Sequence, residues 1–307
     1  MKNLKGPLIL LMTSIIWGLA FMFQSKGMEH IGPLVFNTIR FGIGAFILLI
    51  TKLVIFFVHK KNGIVEPFIN KPTLMAGILC GAFVFLGSTF QQVGIVTTDS
   101  GKAGFITALY ILFVPILGLI FKKKTSWNGW ISVLIALCGF FFLSLIGGIS
   151  NISIGDIYLL ASALMFASQI LTVDHYAEKS DPIMVCLIQF AISTICSLIV
   201  SFIFESWTFE GIMSAKWSIL YTGILSCGIA YALQMIGQKY TKPSFASLIL
   251  SLESVVAVIA GVIFLKETLL WNEIVGCSLI FIAVIFSQLT FKKKDSSVQE
   301  EIEEVKE

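Results

Sequence analysis

One arginine stands inside a stretch of sequence that is otherwise almost continuously apolar. Arg40 follows Pro33 by seven residues, which at 1.5 Å per helical residue places it about 10 Å into that stretch. An arginine near the centre of a bilayer costs roughly 2.5–3.5 kcal/mol on insertion scales, so we expect Arg40 to face a protein interior or a wet cavity. Its guanidinium suits two roles: bidentate binding of a substrate carboxylate, or a fixed structural pair with backbone carbonyls or a loop acid.

One carboxylate, Glu253, lies near the middle of another apolar stretch. Acidic residues at such positions form proton relays in pumps and transporters, because they bind a proton on one side of a membrane and release it on the other. Glu253 is therefore a candidate for proton coupling. The alternative is a hydrogen-bonded acid that stabilises a break in a helix.

Other polar and aromatic residues in the apolar stretches are candidates for the walls of a central pocket. The glutamines could instead form hydrogen bonds between helices, which are worth about 0.6 kcal/mol on average in one membrane protein. The aromatic residues could instead pack in the core or anchor the chain at the membrane surface. The candidates for the substrate pathway, besides Arg40, are Trp17, Gln91, Tyr110, Gln169, Tyr231 and Gln234.

The composition identifies the medium that surrounds these residues. Of the 307 residues, 57% are hydrophobic and 13% are charged, against roughly 45–50% and about 25% in soluble proteins. This excludes an ordinary soluble enzyme, a nucleic-acid binder and a disordered chain, and predicts a polytopic membrane protein. The 6 cysteines show no metal-type spacing and no phosphate-binding loop occurs, so no cofactor or metal is expected.

The apolar runs are continuous rather than alternating, which favours helices over a barrel. A helix needs about 20 apolar residues to span the hydrocarbon core. We predict an all-α polytopic fold with ten transmembrane helices: Leu8–Gln24, Leu34–Val58, Leu74–Val96, Ala103–Phe121, Trp127–Ile146, Asp156–His175, Ile183–Phe204, Trp217–Ile236, Phe245–Leu265 and Ile274–Phe291.

The lysines are distributed unequally between the two sides of this topology. With an inside N-terminus, 16 of the 21 basic residues lie inside and four lie outside, while Arg40 lies within a span. The positive-inside rule then places both termini on the inside, in the cytoplasm. The tail 293–307 is acidic, which is typical of a solvated cytoplasmic end.

The sequence contains an internal repeat. The segment Gly6–Phe41 aligns without gaps onto Gly155–Phe190, and further on Gln91 aligns with Gln234 and Tyr110 with Glu253. We therefore divide the chain into two five-helix repeats, 1–149 and 150–292. Because five is odd, the repeats must be inverted in the membrane. Inverted repeats with a site between them are typical of secondary transporters that work by alternating access.

Several short motifs resemble the EamA-domain family of the drug/metabolite transporter superfamily. They are Ile16-Trp17-Gly18, Ile39-Arg40-Phe41, the run from Ala103 to Tyr110 with Val114-Pro115, Ser251-Leu252-Glu253-Ser254-Val255, and Leu265-Lys266-Glu267. The resemblance covers about residues 6–291 and implies a ten-helix inner-membrane carrier, frequently an exporter of amino acids, metabolites or drugs. The chain departs from the family's pattern where Phe121 and three lysines replace the usual Gly-Glu pair, so only the second repeat has the terminal acid, Glu267.

These observations predict a secondary active transporter of small organic solutes (an amino acid, metabolite or drug) that works by alternating access, with efflux as the expected direction. The expected partners are a small-molecule substrate, the lipid bilayer and a coupling proton, with no nucleic acid, and the protein is a monomer or a homodimer. A membrane channel and a membrane-embedded lipid-modifying enzyme are the alternatives, although the three histidines are scattered.

Overall fold

The structure is a computed structural model that describes residues 4–62, 69–120, 122–123, 125–144, 153–265, 271–272, 274–276 and 278–286. All regular elements within these ranges are helices. They are α1 (Lys5–Met28), α2 (Pro33–Lys61), α3 (Lys71–Ile95), α4 (Ser100–Ala108), α5 (Tyr110–Ile120), α6 (Trp127–Ser144), α7 (Ile154–Tyr176), α8 (Pro182–Phe204), α9 (Phe209–Ser214), α10 (Lys216–Leu220), a π-helix (Tyr221–Ala230), α11 (Tyr231–Gln238), α12 (Pro243–Leu250) and α13 (Leu252–Leu265).

Eight helical stretches are long and apolar enough to cross a membrane, so the chain is a multi-pass membrane protein. They correspond to eight of the ten predicted spans. Two shorter apolar helices, Trp127–Gly139 and Ile274–Phe286, lie where the fifth and tenth spans were predicted. The predicted ends of those two spans, Glu267 and the acidic tail 293–307 lie outside the described residues.

Several spans begin at residues that start helices well. Proline occupies the first helical position of α2, α8 and α12, where its missing N–H and fixed φ cost nothing. Asn70 caps α3 through its side chain, and Ser153 with Asp156 forms a capping box at α7. These contacts satisfy N–H groups that a helix leaves without internal partners.

Two spans are broken at positions that lie one residue apart in the alignment of the repeat. Leu109 separates α4 from α5 and Ser251 separates α12 from α13, each with a ψ near zero (−7° and −13°). At both breaks the chain tightens to i→i+3 hydrogen bonds, from Leu112 N to Leu109 O (2.9 Å) and from Ser254 N to Ser251 O (3.1 Å). The residues that follow these breaks, Tyr110 and Glu253, are the aligned pair of the repeat.

Each half of the chain packs its first helix against the other half. Helix α1 contacts α11, α12 and α13, whereas α7 contacts α3, α4 and α5. Repeat-related glycines make the close approaches: a Cβ on Gly6 would lie 3.1 Å from the Gly237 oxygen, and one on Gly155 would lie 2.8 Å from the Gly94 oxygen. The two crossings are thus equivalent contacts with the halves exchanged.

Helices α2 and α8 form an antiparallel pair. The carboxylate of Glu205, just past the end of α8, accepts the N–H groups of Leu34 (3.0 Å) and Val35 (2.8 Å) at the start of α2. At the other end, Lys52 of α2 forms an ion pair with Asp181, which caps α8 through Ile183 N (2.9 Å). Both helix N-termini therefore receive a carboxylate, from different sources.

Candidate functional site

A cavity lies between the two halves of the chain and is walled by α1, α2, α3, α4, α5, α7, the π-helix, α11 and α13. It has about 40 Å³ of space for the centres of water molecules, which is room for about three waters. All eight residues singled out from the sequence stand on its wall: Trp17, Arg40, Gln91, Tyr110, Gln169, Tyr231, Gln234 and Glu253.

Arg40 lies at one end of the cavity and is buried, with 4% of its surface exposed. Its Nη1 donates a hydrogen bond to Oε1 of Gln24 at 2.7 Å. The rings of Phe41 and Phe36 lie 4.9 Å and 5.5 Å from the guanidinium carbon, close enough for cation–π attraction. The Nε–H is buried without a hydrogen-bond partner.

The observed partner of Arg40 is neither of the two structural partners that the sequence suggested. Among the described residues, no carboxylate lies within ion-pair distance of its guanidinium. Its partner is the neutral side-chain amide of Gln24 rather than a loop acid or a backbone carbonyl. A full positive charge therefore stands at the cavity wall with donors to spare, since a guanidinium has five N–H groups.

Glu253 occupies the first turn of α13, immediately after the break at Ser251, and is 3% exposed. The first turn of a helix favours an acid because its N–H groups lack internal partners and carry partial positive charge. The Tyr110 hydroxyl lies beside this carboxyl without a well-formed hydrogen bond. Within the described part of the chain, no basic side chain forms an ion pair with Glu253.

Three glutamines form a second polar cluster. Because α2 and α8 are antiparallel and Arg40 and Gln189 each lie seven residues after the start of their helix, this cluster lies at a different depth from Arg40, toward the opposite end of the cavity. Gln169 and Gln234 exchange hydrogen bonds, with N–O distances of 3.3 Å and 3.0 Å. Gln169 also donates weakly to Oε1 of Gln189 at 3.5 Å, and the Nε2 of Gln189 is buried without a partner. This cluster is polar and carries no charge.

Aromatic rings form the wall between these two ends. Trp17 and Tyr231 meet edge to face with centroids 4.8 Å apart, and Phe190 meets Tyr231 at 5.1 Å. The indole N–H of Trp17 is buried without a partner. Gln91 donates a long hydrogen bond to Thr107 at 3.4 Å. The middle of the cavity thus combines apolar surface with a few unused donors.

Several polar wall residues were not predicted, although the sequence contains signals for some of them. Gln24 lies seven residues after Trp17, on the same face of a helix. Ser88 and Thr107 each precede a predicted residue by three positions. Gln189, behind the wall, aligns with Arg40 in the repeat. The polar or thiol-bearing wall residues missed are Gln24, Ser88, Thr107, Ser226 and Cys227.

Ser226 and Cys227 reach the wall from the π-helix, which the sequence did not predict. In this segment the Tyr231 N–H bonds to the Ser226 carbonyl, five residues earlier. Such wide turns are rare and occur frequently at functional sites. The Tyr221 hydroxyl fastens the segment to α1 by donating to the Ile16 carbonyl at 3.1 Å.

The sequence of this protein matches the model of the EamA-like transporter family over residues 4–145 and 153–289. The chain belongs to the EamA-like transporter family. It is 34% identical over 290 residues to an uncharacterized transporter of Archaeoglobus fulgidus, covering 94% of this chain and 87% of that protein. It is 26% identical to the uncharacterized transporter YoaV of Bacillus subtilis, covering 94% of this chain and 99% of that protein.

A solved structure, described only as "Crystal structure of protein", has the same fold. It superposes with a TM-score of 0.74 at 16% identity and covers 95% of this chain and 99% of that one. Together with the membrane-spanning helices, the family and the relatives support a membrane transporter with a small-molecule substrate.

Proposed function

We propose that this protein is a secondary active transporter that moves small organic solutes through the central cavity by alternating access. One observation carries the proposal: Arg40, a cation, and Glu253, an ionisable carboxyl group, stand on the wall of one cavity, and neither forms an ion pair among the described residues. A charge buried without an opposite charge is costly. Keeping these two groups in one cavity is reasonable if a transported solute or ion compensates them.

We propose an architecture of ten helices in two inverted repeats for this transporter. The exchanged crossings of α1 and α7 support it, as do the breaks at Leu109 and Ser251, which lie one residue apart in the repeat alignment. The membrane is the cell inner (plasma) membrane, as the family resemblance implies, and both termini lie in the cytoplasm, as the lysine bias predicts. The unit is a monomer or a homodimer, and the direction is efflux.

The substrate class follows from the groups on the wall. Arg40 Nε–H and the N–H of Trp17 are buried donors without partners, so they favour a solute with an acceptor group such as a carboxylate. The aromatic wall favours an apolar body. We infer a small organic carboxylate, with an amino acid or a related metabolite as the leading case.

Glu253 gives the transport cycle a means of coupling. A carboxylate that no cation of the protein neutralises can hold a proton or the ammonium group of a solute, but not both. If the proton binds from one side and the solute from the other, the two move in opposite directions. Proton antiport is then the mechanism by which a pH gradient drives efflux.

The cavity must enlarge during this cycle. With about 40 Å³ of space for the centres of water molecules, it is small beside the ligand sites of about 300–1,000 Å³ found in proteins, so we expect it to widen around a bound solute. The breaks at Leu109 and Ser251 lie within two residues of the wall residues Tyr110 and Glu253, and the π-helix contributes Ser226 and Cys227 to the wall. They are the places where we expect the backbone to bend.

Transport by the purified protein in proteoliposomes tests this function. We expect saturable counterflow of a carboxylate solute such as phenylalanine, and accumulation against its gradient when a pH gradient is imposed. Ohmic conductance without saturation would instead indicate a channel. Chemical change of the vesicle lipids, measured by mass spectrometry, would indicate an enzyme.

Glu253→Gln tests the coupling step. This variant should retain counterflow, which needs no net proton movement, but lose at least 90% of pH-driven accumulation. Glu178→Gln is the matched control, because Glu178 is exposed and does not line the cavity. Full pH-driven transport by Glu253→Gln would exclude Glu253 as the coupling residue.

A further inference from the structure

The partner of Arg40 is a side chain with the shape of glutamate but without its charge. Gln24 lies on α1, is 4% exposed, and accepts a 2.7 Å hydrogen bond from Arg40 Nη1. Its own backbone carbonyl accepts a long hydrogen bond from Nε2 of Gln92 at 3.4 Å. Gln24 was not among the residues predicted from the sequence, yet it makes the one side-chain hydrogen bond of Arg40 among the described residues.

A carboxylate in this position would bind the guanidinium more strongly than an amide does. Charge-assisted hydrogen bonds between ionised partners are shorter and roughly twice as strong as neutral ones. A glutamate would also neutralise the buried charge, which an amide oxygen does not. The amide holds the guanidinium in place and leaves its charge unneutralised.

The other groups around Arg40 also hold the guanidinium in place without neutralising its charge. The rings of Phe36 and Phe41 attract the cation without removing its charge. The described residues place no carboxylate within 4.0 Å of the guanidinium, while the buried Nε–H has no acceptor. Each of these groups thus helps to fix the position of Arg40, and none of them acts as its counter-ion.

We propose that Gln24 is a specificity-determining residue: by positioning Arg40 through a neutral amide, it reserves the guanidinium charge for the anionic group of the solute. This inference rests on the proposed function, because it assigns the selectivity of the same cavity. It identifies the anionic group as the part of the solute that binds at the Arg40 end.

The proposal has a direct consequence for selectivity. With Gln24, the cavity wall carries one positive charge at Arg40 and one carboxylate at Glu253. In Gln24→Glu the new carboxylate would pair with Arg40, leaving Glu253, once it has released its proton to a solute's amino group or to water, as the uncompensated charge. The preference of the cavity should then change from anionic solutes toward cationic ones.

Binding of three matched probes to the purified full-length protein tests this. Benzoate, benzylamine and benzyl alcohol share a ring and differ mainly in charge. Benzoate should bind the unchanged protein best. In Gln24→Glu, benzoate affinity should fall at least tenfold and benzylamine should become the preferred probe. In Gln24→Met, which removes the amide without adding charge, benzoate affinity should fall less and the preference should not reverse.

A second measurement needs no solute. Because Arg40 lacks a counter-ion, Gln24→Glu should raise the midpoint of thermal unfolding above those of the unchanged protein and of Gln24→Met. If benzoate affinity is unchanged in Gln24→Glu, or falls equally in both variants, the selectivity role is wrong. A lower unfolding midpoint for Gln24→Glu than for Gln24→Met would also overturn it.

The proposed transport function and the selectivity role of Gln24 can be tested separately. If the unchanged protein neither binds a probe nor transports any carboxylate, the proposed function fails, and the selectivity role fails with it. In that case the order of unfolding midpoints would still report whether Arg40 lacks a counter-ion. If transport occurs but the variants keep the original preference, only the role of Gln24 is wrong.

Discussion

The two ends of the central cavity are built on the same plan but carry different chemistry. Arg40 lies seven residues after Pro33 on α2, and Gln189 lies seven residues after Pro182 on α8, so they are repeat-related positions. At the first end a guanidinium meets one glutamine amide. At the second, three glutamine amides bond to one another. The scaffold is repeated, but the charge is not.

This difference shows which positions of a duplicated fold must stay alike and which can differ between the two copies. Close helix crossings depend on small residues at both copies, such as Gly94 and Gly237, so these positions remain alike. Side chains that reach the cavity have no such packing constraint. An asymmetric charge can orient a solute, because its anionic group is favoured at one end only.

Making the two ends alike should have the largest effect. Arg40→Gln should lower the affinity for benzoate by about 100-fold, because hydrogen bonds to a charged group contribute about 1.5–3 kcal/mol and the ionic attraction is lost as well. Equilibrium binding to the purified protein measures this. The fold should survive, since the substitution removes a buried charge.

Arg40→Lys is the matched control for charge. It keeps the positive charge but loses the planar fork, so its loss of affinity should lie between those of the unchanged protein and Arg40→Gln. Equal benzoate affinity in Arg40→Gln and the unchanged protein would contradict the difference between the ends that we describe.

The N-termini of α2 and α8 allow a second comparison. Asp181→Asn, at the α8 end, should destabilise the protein by about 2 kcal/mol, because it removes the carboxylate paired with the buried Lys52; this is less than for a fully buried pair. Glu205→Gln, at the α2 end, should cost about 0.3–1 kcal/mol, since there the carboxylate meets a helix N-terminus. Denaturant unfolding of both variants measures the difference.

The Asp181 effect should depend on pH. Partial burial alone would raise the pKa of Asp181, but hydrogen bonds from Lys52, Met184 N–H and Ile183 N–H and the Lys52 charge hold it below the ordinary value. A lowered folded-state pKa adds stability above the unfolded value of about 3.9, and this is lost as the pH falls through the folded value. The gap between the two proteins should stay constant from about pH 8 to 5 and shrink below about pH 4. A gap that persists at low pH would contradict the ionic role.

The last comparison concerns the two helix crossings. An added methyl on Gly94 would lie 2.8 Å from the backbone oxygen of Gly155, whereas one on Gly237 would lie 2.8 Å from a flexible Leu10 side chain and 3.3 Å from the Gly6 oxygen. Gly94→Ala should therefore cost about 1–2 kcal/mol, and Gly237→Ala less. Thermal unfolding of the two variants measures this difference. A larger loss of stability in Gly237→Ala than in Gly94→Ala would contradict the described packing of the two crossings.

The sequence predicted the helices and the wall residues because both follow from local pattern. Continuous apolar runs identified eight of the ten predicted spans, and the scarcity of polar residues within the runs isolated Arg40, Glu253 and the glutamines. The pairing of Arg40 with Gln24 was not predictable, since it depends on how α1 and α2 meet in space. A glutamine near a helix end is also common enough to carry little information alone.

The π-helix and the contacts of Gln189 escaped prediction for related reasons. An i→i+5 ladder leaves no distinct periodicity over ten residues, and its stability comes from neighbours such as the Tyr221–Ile16 contact. In the repeat alignment Gln189 stands at the position of Arg40, because the matched residues Ile188 and Phe190 flank it. Looking for a polar residue at the copy of each functional position would have found it.

The exceptional apolarity of α2 has a consequence for how the protein enters the membrane during synthesis. Between positions 41 and 58 the helix carries 13 Ile, Leu, Phe and Val residues, each contributing about −0.3 to −0.6 kcal/mol at a helix centre on the insertion scale. Together these 13 side chains contribute about 4–8 kcal/mol, against about 5–7 kcal/mol for two cations, Arg40 and Lys52, if both stood at the helix centre. Helix α2 is therefore close to balance as an isolated span, and Asp181 at the start of α8 supplies the ion-pair partner of Lys52 only once the second half of the chain has been made.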